Sequence, residues 1–175
     1  MLADTVILGG GASGALRVRF VRRGDRWGHV VELLVEGGVV PLAESVEGGP
    51  EENWPASPPL TDLHIENRPP GGQVALLVGK AGSSHWSASV ELDAAGSLVI
   101  FDVACRLRAE PGSLGSTYSM LSAQQSVTPL EGAVLVELGQ GKAVIRPTSA
   151  DRPAPRTDRW RYSIGLDEVD ATPSG

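Results

Sequence analysis

The stretch GKAGSSHWSASVELDAAGSLVIFDVACRLR, residues 79–108, contains the clearest strand-turn-strand pattern in the chain. Apolar and polar side chains alternate with a period of two on both sides of the segment DAAG, which is typical of half-buried antiparallel strands. Gly96 supplies the residue that accepts a positive φ in such a turn. The stretch therefore predicts a β-hairpin with one face in a core.

Two turns are compatible with DAAG. A four-residue loop over residues 93–96 pairs Leu92 with Ser97 and gives a uniformly apolar face that includes Trp86 and Cys105. A three-residue loop with a bulge slips the register by one residue and moves apolar side chains onto the polar face. Because burial of one face selects the register, we expect the four-residue loop.

The polar face of this hairpin carries the candidate functional residues. In the expected register Ser87 lies opposite Asp102, with His85 and Arg106 at flanking positions. A few convergent hydrogen-bonding groups suit a sugar-like polar small molecule, so we predict a non-catalytic binding module that uses these four residues.

The same face admits an alternative. A histidine beside a carboxylate is also the arrangement of a proton-transferring base and the group that orients it, so a small enzyme with a His85/Asp102 acid-base pair is the second hypothesis. We do not expect Ser87 to act as a nucleophile, because the chain has no GxSxG elbow around it.

A proline-rich segment, EGGPEENWPASPPLT at residues 47–61, is longer than most connections in compact domains. Trp54 is its largest apolar side chain. It either plugs one end of the core or forms a wall over a ligand site, and on the second interpretation Trp54 joins the candidate binding residues.

The rest of the chain repeats short alternating segments between turns. With 22 Gly and 13 Pro among 175 residues, it predicts about ten strands and no helix longer than two turns. A chain of this length suits one core. We therefore expect a single all-β domain over residues 15–166, a mostly antiparallel β-sandwich, with a distorted β-barrel as the alternative.

Near the N-terminus Gly9, Gly11 and Gly14 fit the pattern GxGxxG, which locally resembles the opening of a Rossmann flavin- or NAD-binding domain. That resemblance implies a dinucleotide held at a helix N-terminus. The residues that follow alternate with a period of two, which predicts a strand instead of that helix. We therefore expect residues 1–14 to be a flexible glycine-rich lead-in, residues 167–175 to be a disordered acidic tail, and no cofactor.

The net charge, the cysteine and histidine content and the N-terminal sequence restrict the partners, metals and location that we expect. A net charge of −6 argues against nucleic-acid and anionic-membrane partners. The single cysteine, Cys105, allows no intramolecular disulfide, and the three histidines have no metal-binding spacing, so no metal is expected. The N-terminus lacks a basic region and a long apolar run, so we expect a soluble cytoplasmic protein. Its partners are then a polar small molecule, another protein or a second copy in a homodimer.

Overall fold

The computed structural model describes residues 4–148 and 152–167, and this part of the chain consists of strands, turns and loops without a helix. The strands are β1 (Thr5–Gly9), β2 (Leu16–Arg23), β3 (Arg26–Val35), β4 (Gly38–Ser45), β5 (Leu60–Arg68), β6 (Gly72–Ala81), β7 (Ser84–Leu92), β8 (Leu98–Leu107), β9 (Ser116–Met120), β10 (Gln125–Pro129), β11 (Ala133–Gly139), β12 (Lys142–Pro147) and β13 (Arg156–Leu166).

These strands form two antiparallel sheets. The seven-stranded sheet has the order β1-β2-β3-β4-β9-β12-β11, and the six-stranded sheet has the order β10-β13-β8-β7-β6-β5. Each sheet has two free edges, so the strands do not close into a barrel. The predicted antiparallel β-sandwich is confirmed, and the barrel alternative is not observed.

The core lies between the two sheets because alternate side chains of every long strand point inward. Trp86, Phe101 and Trp160 from the six-stranded sheet are buried, as are Phe20 and Tyr118 from the seven-stranded sheet. Hydrogen bonds also join the sheets. Trp160 Nε1 donates to Ser116 Oγ at 3.0 Å, and the hydroxyls of Tyr118 and Tyr162 are 2.7 Å apart.

Residues 46–59 carry the chain from one sheet to the other, between β4 and β5. Ser57 fixes this connection to β9: its Oγ accepts from the backbone amide of Thr117 at 3.0 Å and donates to the carbonyl of Thr117 at 3.1 Å. The hydroxyl of Thr117 in turn donates to the carbonyl of Ala56 at 2.8 Å. The long loop is therefore bonded to the sandwich along its second half.

The N-terminal glycine segment differs from its expected role. Residues 5–9 form β1, which pairs with β2 from Thr5↔Val21 to Gly9↔Arg17, so the first strand begins ten residues before the expected boundary at residue 15. The glycines that follow form the β1–β2 loop, and no helix begins there. Strand β10 was also not predicted. Residue 167 is exposed, and the rest of the expected tail, residues 168–175, lies outside the described residues.

Candidate functional site

The hairpin formed by β7 and β8 has the expected faces but a different register. Trp86 lies opposite Cys105 and Ala88 lies opposite Val103, and all four side chains are buried. The expected partner of Trp86 was Val103, so the strands are shifted by two residues. Because side chains alternate with a period of two, this shift leaves each residue on its predicted face and changes only its neighbours.

Asp93 explains the shift. Its backbone amide donates to the carbonyl of Leu98 at 3.0 Å, so it extends the hairpin and moves the four-residue loop to residues 94–97. Its carboxylate accepts from the backbone amides of Ser97 and Leu98 at 2.7 Å and 2.8 Å, and from the hydroxyl of Ser97 at 3.0 Å. Gly96, with φ +69°, completes the turn. An aspartate that bonds its own loop is a known turn device, and here it sets the register.

The observed register separates the two residues of the acid-base hypothesis. His85 lies opposite Arg106, Ser87 opposite Ala104, and Asp102 opposite Ser89. Four residues of extended strand therefore separate the positions of His85 and Asp102, which is about 13 Å along the sheet. Asp102 instead accepts from Arg159 Nε at 2.7 Å and from a second nitrogen of the same guanidinium. Asp102 thus has a cationic partner on the neighbouring strand β13 and does not orient His85.

His85, Ser87 and Arg106 do lie together, in an open depression on the outer face of the six-stranded sheet. Its volume is about 440 Å³, within the range of small-molecule sites. Its polar lining comes from five adjacent strands and comprises Thr61, Asp62, Lys80, His85, Ser87, Arg106 and Thr157. Val78, which is 52% exposed, and Ala104 form an apolar floor. We call this feature the outer-face depression.

Four of these polar residues were not predicted from the sequence: Thr61, Asp62, Lys80 and Thr157. The position of Lys80 could have been predicted from the local sequence, because Gly82 and Ser83 form a two-residue hairpin turn that pairs Lys80 with His85. No local feature of the sequence indicates that Thr61 and Thr157 lie beside His85. They reach the depression through β5 and β13, which lie far from the hairpin in sequence.

Trp54 lies on the other side of the sheet. Its ring packs edge-on against Trp86, with 5.9 Å between ring centroids, and Trp86 points into the core. Trp54 is half-buried against the core cluster. The structure therefore places it as a plug at the end of the sandwich, and it contributes no wall to the outer-face depression.

A second polar group lies inside the sandwich, around His29 on β3. The imidazole Nε2 is 2.8 Å from the hydroxyl of Tyr118, which in turn contacts Tyr162. Burial of the ring, with a smaller effect of the positive charge of Arg23, lowers the pKa of His29 to about 3. Burial likewise raises the pKa of Tyr118 and of Tyr162. These groups remain neutral near pH 7 and link the sheets. The cavity beside them, about 20 Å³, has room for a single water molecule.

Two further observations concern metal binding and membrane-spanning helices. Within residues 4–148 and 152–167, no three His, Cys, Asp or Glu side chains lie close enough to hold one metal ion. His29 lies between the sheets, whereas His64 and His85 are exposed on separate strands. In the same part of the chain there is no helix that is long and apolar enough to cross a bilayer.

Comparison with known proteins adds no assignment to this site. No family model matches the chain, and no curated protein matches it. The geometry of the outer-face depression is therefore the basis for the function proposed below.

Proposed function

We propose that the protein is a non-catalytic binding module that takes a sugar-like polar small molecule in the outer-face depression. The observation that carries this proposal is the convergence of polar side chains from five strands around one concave surface of about 440 Å³. His85 and Ser87 are exposed there, so their polar atoms are available to a ligand.

The lining supports a hydroxylated ligand in particular. The hydroxyls of Ser87 and Thr157 can each donate and accept, as sugar hydroxyls do, and Val78 offers an apolar surface to the carbon skeleton. The sheet adds preorganisation, since Val78 and Ser87 lie on strands that are paired on both sides and Thr157 lies on β13 opposite Arg106. Preorganised groups lose less entropy when the ligand binds.

A ligand screen tests the proposal. A molecule that binds the native state raises the free energy of unfolding by about 2.7 kcal/mol when its concentration is one hundred times the Kd. We expect members of a saccharide and sugar-derivative library to raise the Tm, and to shift the amide resonances of Ser87 and Ala104 in heteronuclear NMR spectra.

Two matched variants locate the site. Ser87→Phe places a large side chain in the outer-face depression, and we expect it to abolish binding. Thr128→Phe places the same side chain on β10 of the same sheet, at an exposed position outside the depression, and we expect it to leave binding unchanged. If no library member binds, or if Ser87→Phe binds as wild type does, the proposed function is wrong.

The alternative of a protein partner or a homodimer remains a prediction from the sequence. Light scattering coupled to size-exclusion chromatography tests the homodimer form. Wild type and Ser87→Phe should then differ in mass if the same face joins two copies, whereas a monomeric wild type excludes that form.

A further inference from the structure

One row of the six-stranded sheet places three basic side chains next to one another. Lys80 pairs with His85, His85 pairs with Arg106, and Arg106 pairs with Thr157. Residues directly opposite on neighbouring strands project from the same face, about 4.8 Å apart. All four side chains are exposed. We call Lys80, His85 and Arg106 the cationic row, and it crosses the outer-face depression.

Within the described part of the chain, no residue forms an ion pair with the cationic row. Elsewhere arginines are commonly paired with carboxylates, as in Arg17, Arg19, Arg23, Arg26, Arg68, Arg156 and Arg159. Lys80, His85 and Arg106 form no ion pair with any described residue, although the protein has a net charge of −6.

Two carboxylates lie in the vicinity. Asp62 lines the depression from β5 and accepts from the neutral hydroxyl of Thr61 at 2.8 Å, but it forms no ion pair with the row. Asp102 lies four residues from Arg106 along β8 and is paired with Arg159. The depression therefore holds two unpaired positive side chains, Lys80 and Arg106, and one carboxylate, Asp62.

Lys80 and Arg106 lie two strand spacings apart, about 10 Å, with His85 between them. At that separation the repulsion between two exposed charges is largely screened by salt. An anion that lies over the row would gain charge-assisted hydrogen bonds from both side chains. The arrangement therefore favours binding of an anion.

We infer that the ligand of the outer-face depression carries an oxyanion, a phosphate, sulfate or carboxylate, which binds over the cationic row while its hydroxyls contact Ser87 and Thr157. This inference rests on the proposed function. The Cα atoms of Lys80 and Arg106 are about 10 Å apart, two strand spacings, so their long side chains can both reach a group centred over His85. The guanidinium of Arg106 offers a two-pronged contact to the oxyanion, and Lys80 offers a point charge.

The size of the row indicates a small anion. A polyanion such as nucleic acid requires a basic track that releases many counterions, and a single row on an acidic protein does not supply one. A molecule of sugar size with one charged group matches both the row and the volume of the depression.

The test compares a neutral sugar, two anionic derivatives of that sugar and an anion without a sugar. Glucose, glucose 6-phosphate, glucuronic acid and inorganic phosphate are titrated into the full chain by calorimetry, with NMR to locate the contact, at two NaCl concentrations. We expect glucose 6-phosphate or glucuronic acid to bind at least about tenfold more tightly than glucose, the size of one hydrogen bond to a charged group. The affinity should fall as NaCl rises. The difference between the two acids identifies the preferred oxyanion.

Charge-neutralising variants complete the test. Lys80→Gln and Arg106→Gln should each weaken binding of the anionic sugar by about tenfold or more, with a Tm close to that of wild type because neither exposed side chain forms an ion pair in the free protein. The control is Arg68→Gln, which changes the net charge equally at the other end of the sheet, where Arg68 pairs with Glu91. It should bind as wild type does.

The outcomes separate the two proposals. Equal affinity for glucose and its anionic derivatives, or unchanged binding in Arg106→Gln, overturns the inference and leaves the proposed function standing. A large fall in the Tm of both Lys80→Gln and Arg106→Gln also overturns it, because the row would then be structural. If none of the four molecules binds but a neutral sugar of the library does, the inference fails alone; if no library member binds at the outer-face depression either, both proposals fail.

Discussion

The imidazole of His29 should make the protein sensitive to mild acid. The ring lies between Phe20, Phe101 and Tyr118, with centroid distances of 5.9 Å, 5.2 Å and 5.4 Å. Removal of the ring from water disfavours the charged imidazolium, which is why the pKa of His29 in the native state is about 3. In the unfolded chain the pKa of this group is about 6.5.

The direction of the effect follows from proton uptake. Between pH 6.5 and pH 3 the unfolded chain binds a proton at this residue and the native protein does not, so stability falls as the pH falls through this range. From pH 7 to pH 5 the expected loss from His29 is about 2 kcal/mol. Any native pKa below about 4 gives the same figure, since the native imidazole is then neutral at pH 5.

Urea unfolding at pH 7, 6 and 5 measures this loss when wild type is compared with His29→Gln. The variant loses the ring contacts, so it should be less stable at pH 7. It also lacks the titrating group, so the difference in free energy of unfolding should narrow by about 2 kcal/mol at pH 5. Other groups with shifted pKa values, such as Glu47 and Asp25, are present in both proteins and cancel.

Two results would refute this reasoning. One is a difference in the free energy of unfolding between wild type and His29→Gln that stays constant from pH 7 to pH 5. The other is a side-chain NMR titration in which His29 of the native protein gains its proton above pH 5. Either would mean that water reaches the ring in the native state.

Three further predictions concern packing, the turn and the thiol. Gly79→Ala should lower the free energy of unfolding in urea by about 3 kcal/mol or more, because its Cβ would lie 1.8 Å from the carbonyl oxygen of Pro59. Gly72→Ala, with open space around it, should stay within about 0.5 kcal/mol of wild type, and similar losses in both variants would contradict this close approach of Gly79 to Pro59. Asp93→Ala should lower the free energy of unfolding by about 1–2 kcal/mol, because it removes three hydrogen bonds in the β7–β8 turn. Asp93→Asn should lower it less, because an acceptor oxygen remains. Equal losses in the two variants would contradict the role of Asp93 as the acceptor in this turn. Burial, aided by the charge of Asp158, raises the pKa of the Cys105 thiol to about 12. Iodoacetamide should therefore label Cys105 only after unfolding, whereas rapid labelling of the native protein would show that the core is open to the reagent.

Some features of the fold were predictable from local sequence. The alternation in residues 79–108 correctly placed Trp86 and Cys105 in the core and His85 and Arg106 on the outer face. The succession of short alternating segments and turns correctly indicated an antiparallel sandwich. These inferences need only the two-residue period of a strand and the burial of one face, which are properties of neighbouring residues.

Only some of the residues predicted for the candidate site lie together in the structure. His85, Ser87 and Arg106 line the outer-face depression, whereas Asp102 lies farther along the sheet and Trp54 packs on the opposite side. The error at Asp102 came from the turn. A slip of two residues leaves every side chain on its own face, so hydrophobic patterning does not detect it.

The sequence by itself thus determined the class of fold and the face on which each residue of the central hairpin lies. The tertiary structure decided the neighbours of each residue: the carboxylate of Asp93 set the register, and strands β5 and β13 brought Thr61 and Thr157 beside His85. The physical reason is that the face of the sheet on which a side chain lies depends only on the local alternation of the strand. The side chains next to it depend on the geometry of one turn and on strands from distant parts of the chain. The cationic row is a property of this second kind, since it exists only where three strands pair in one register.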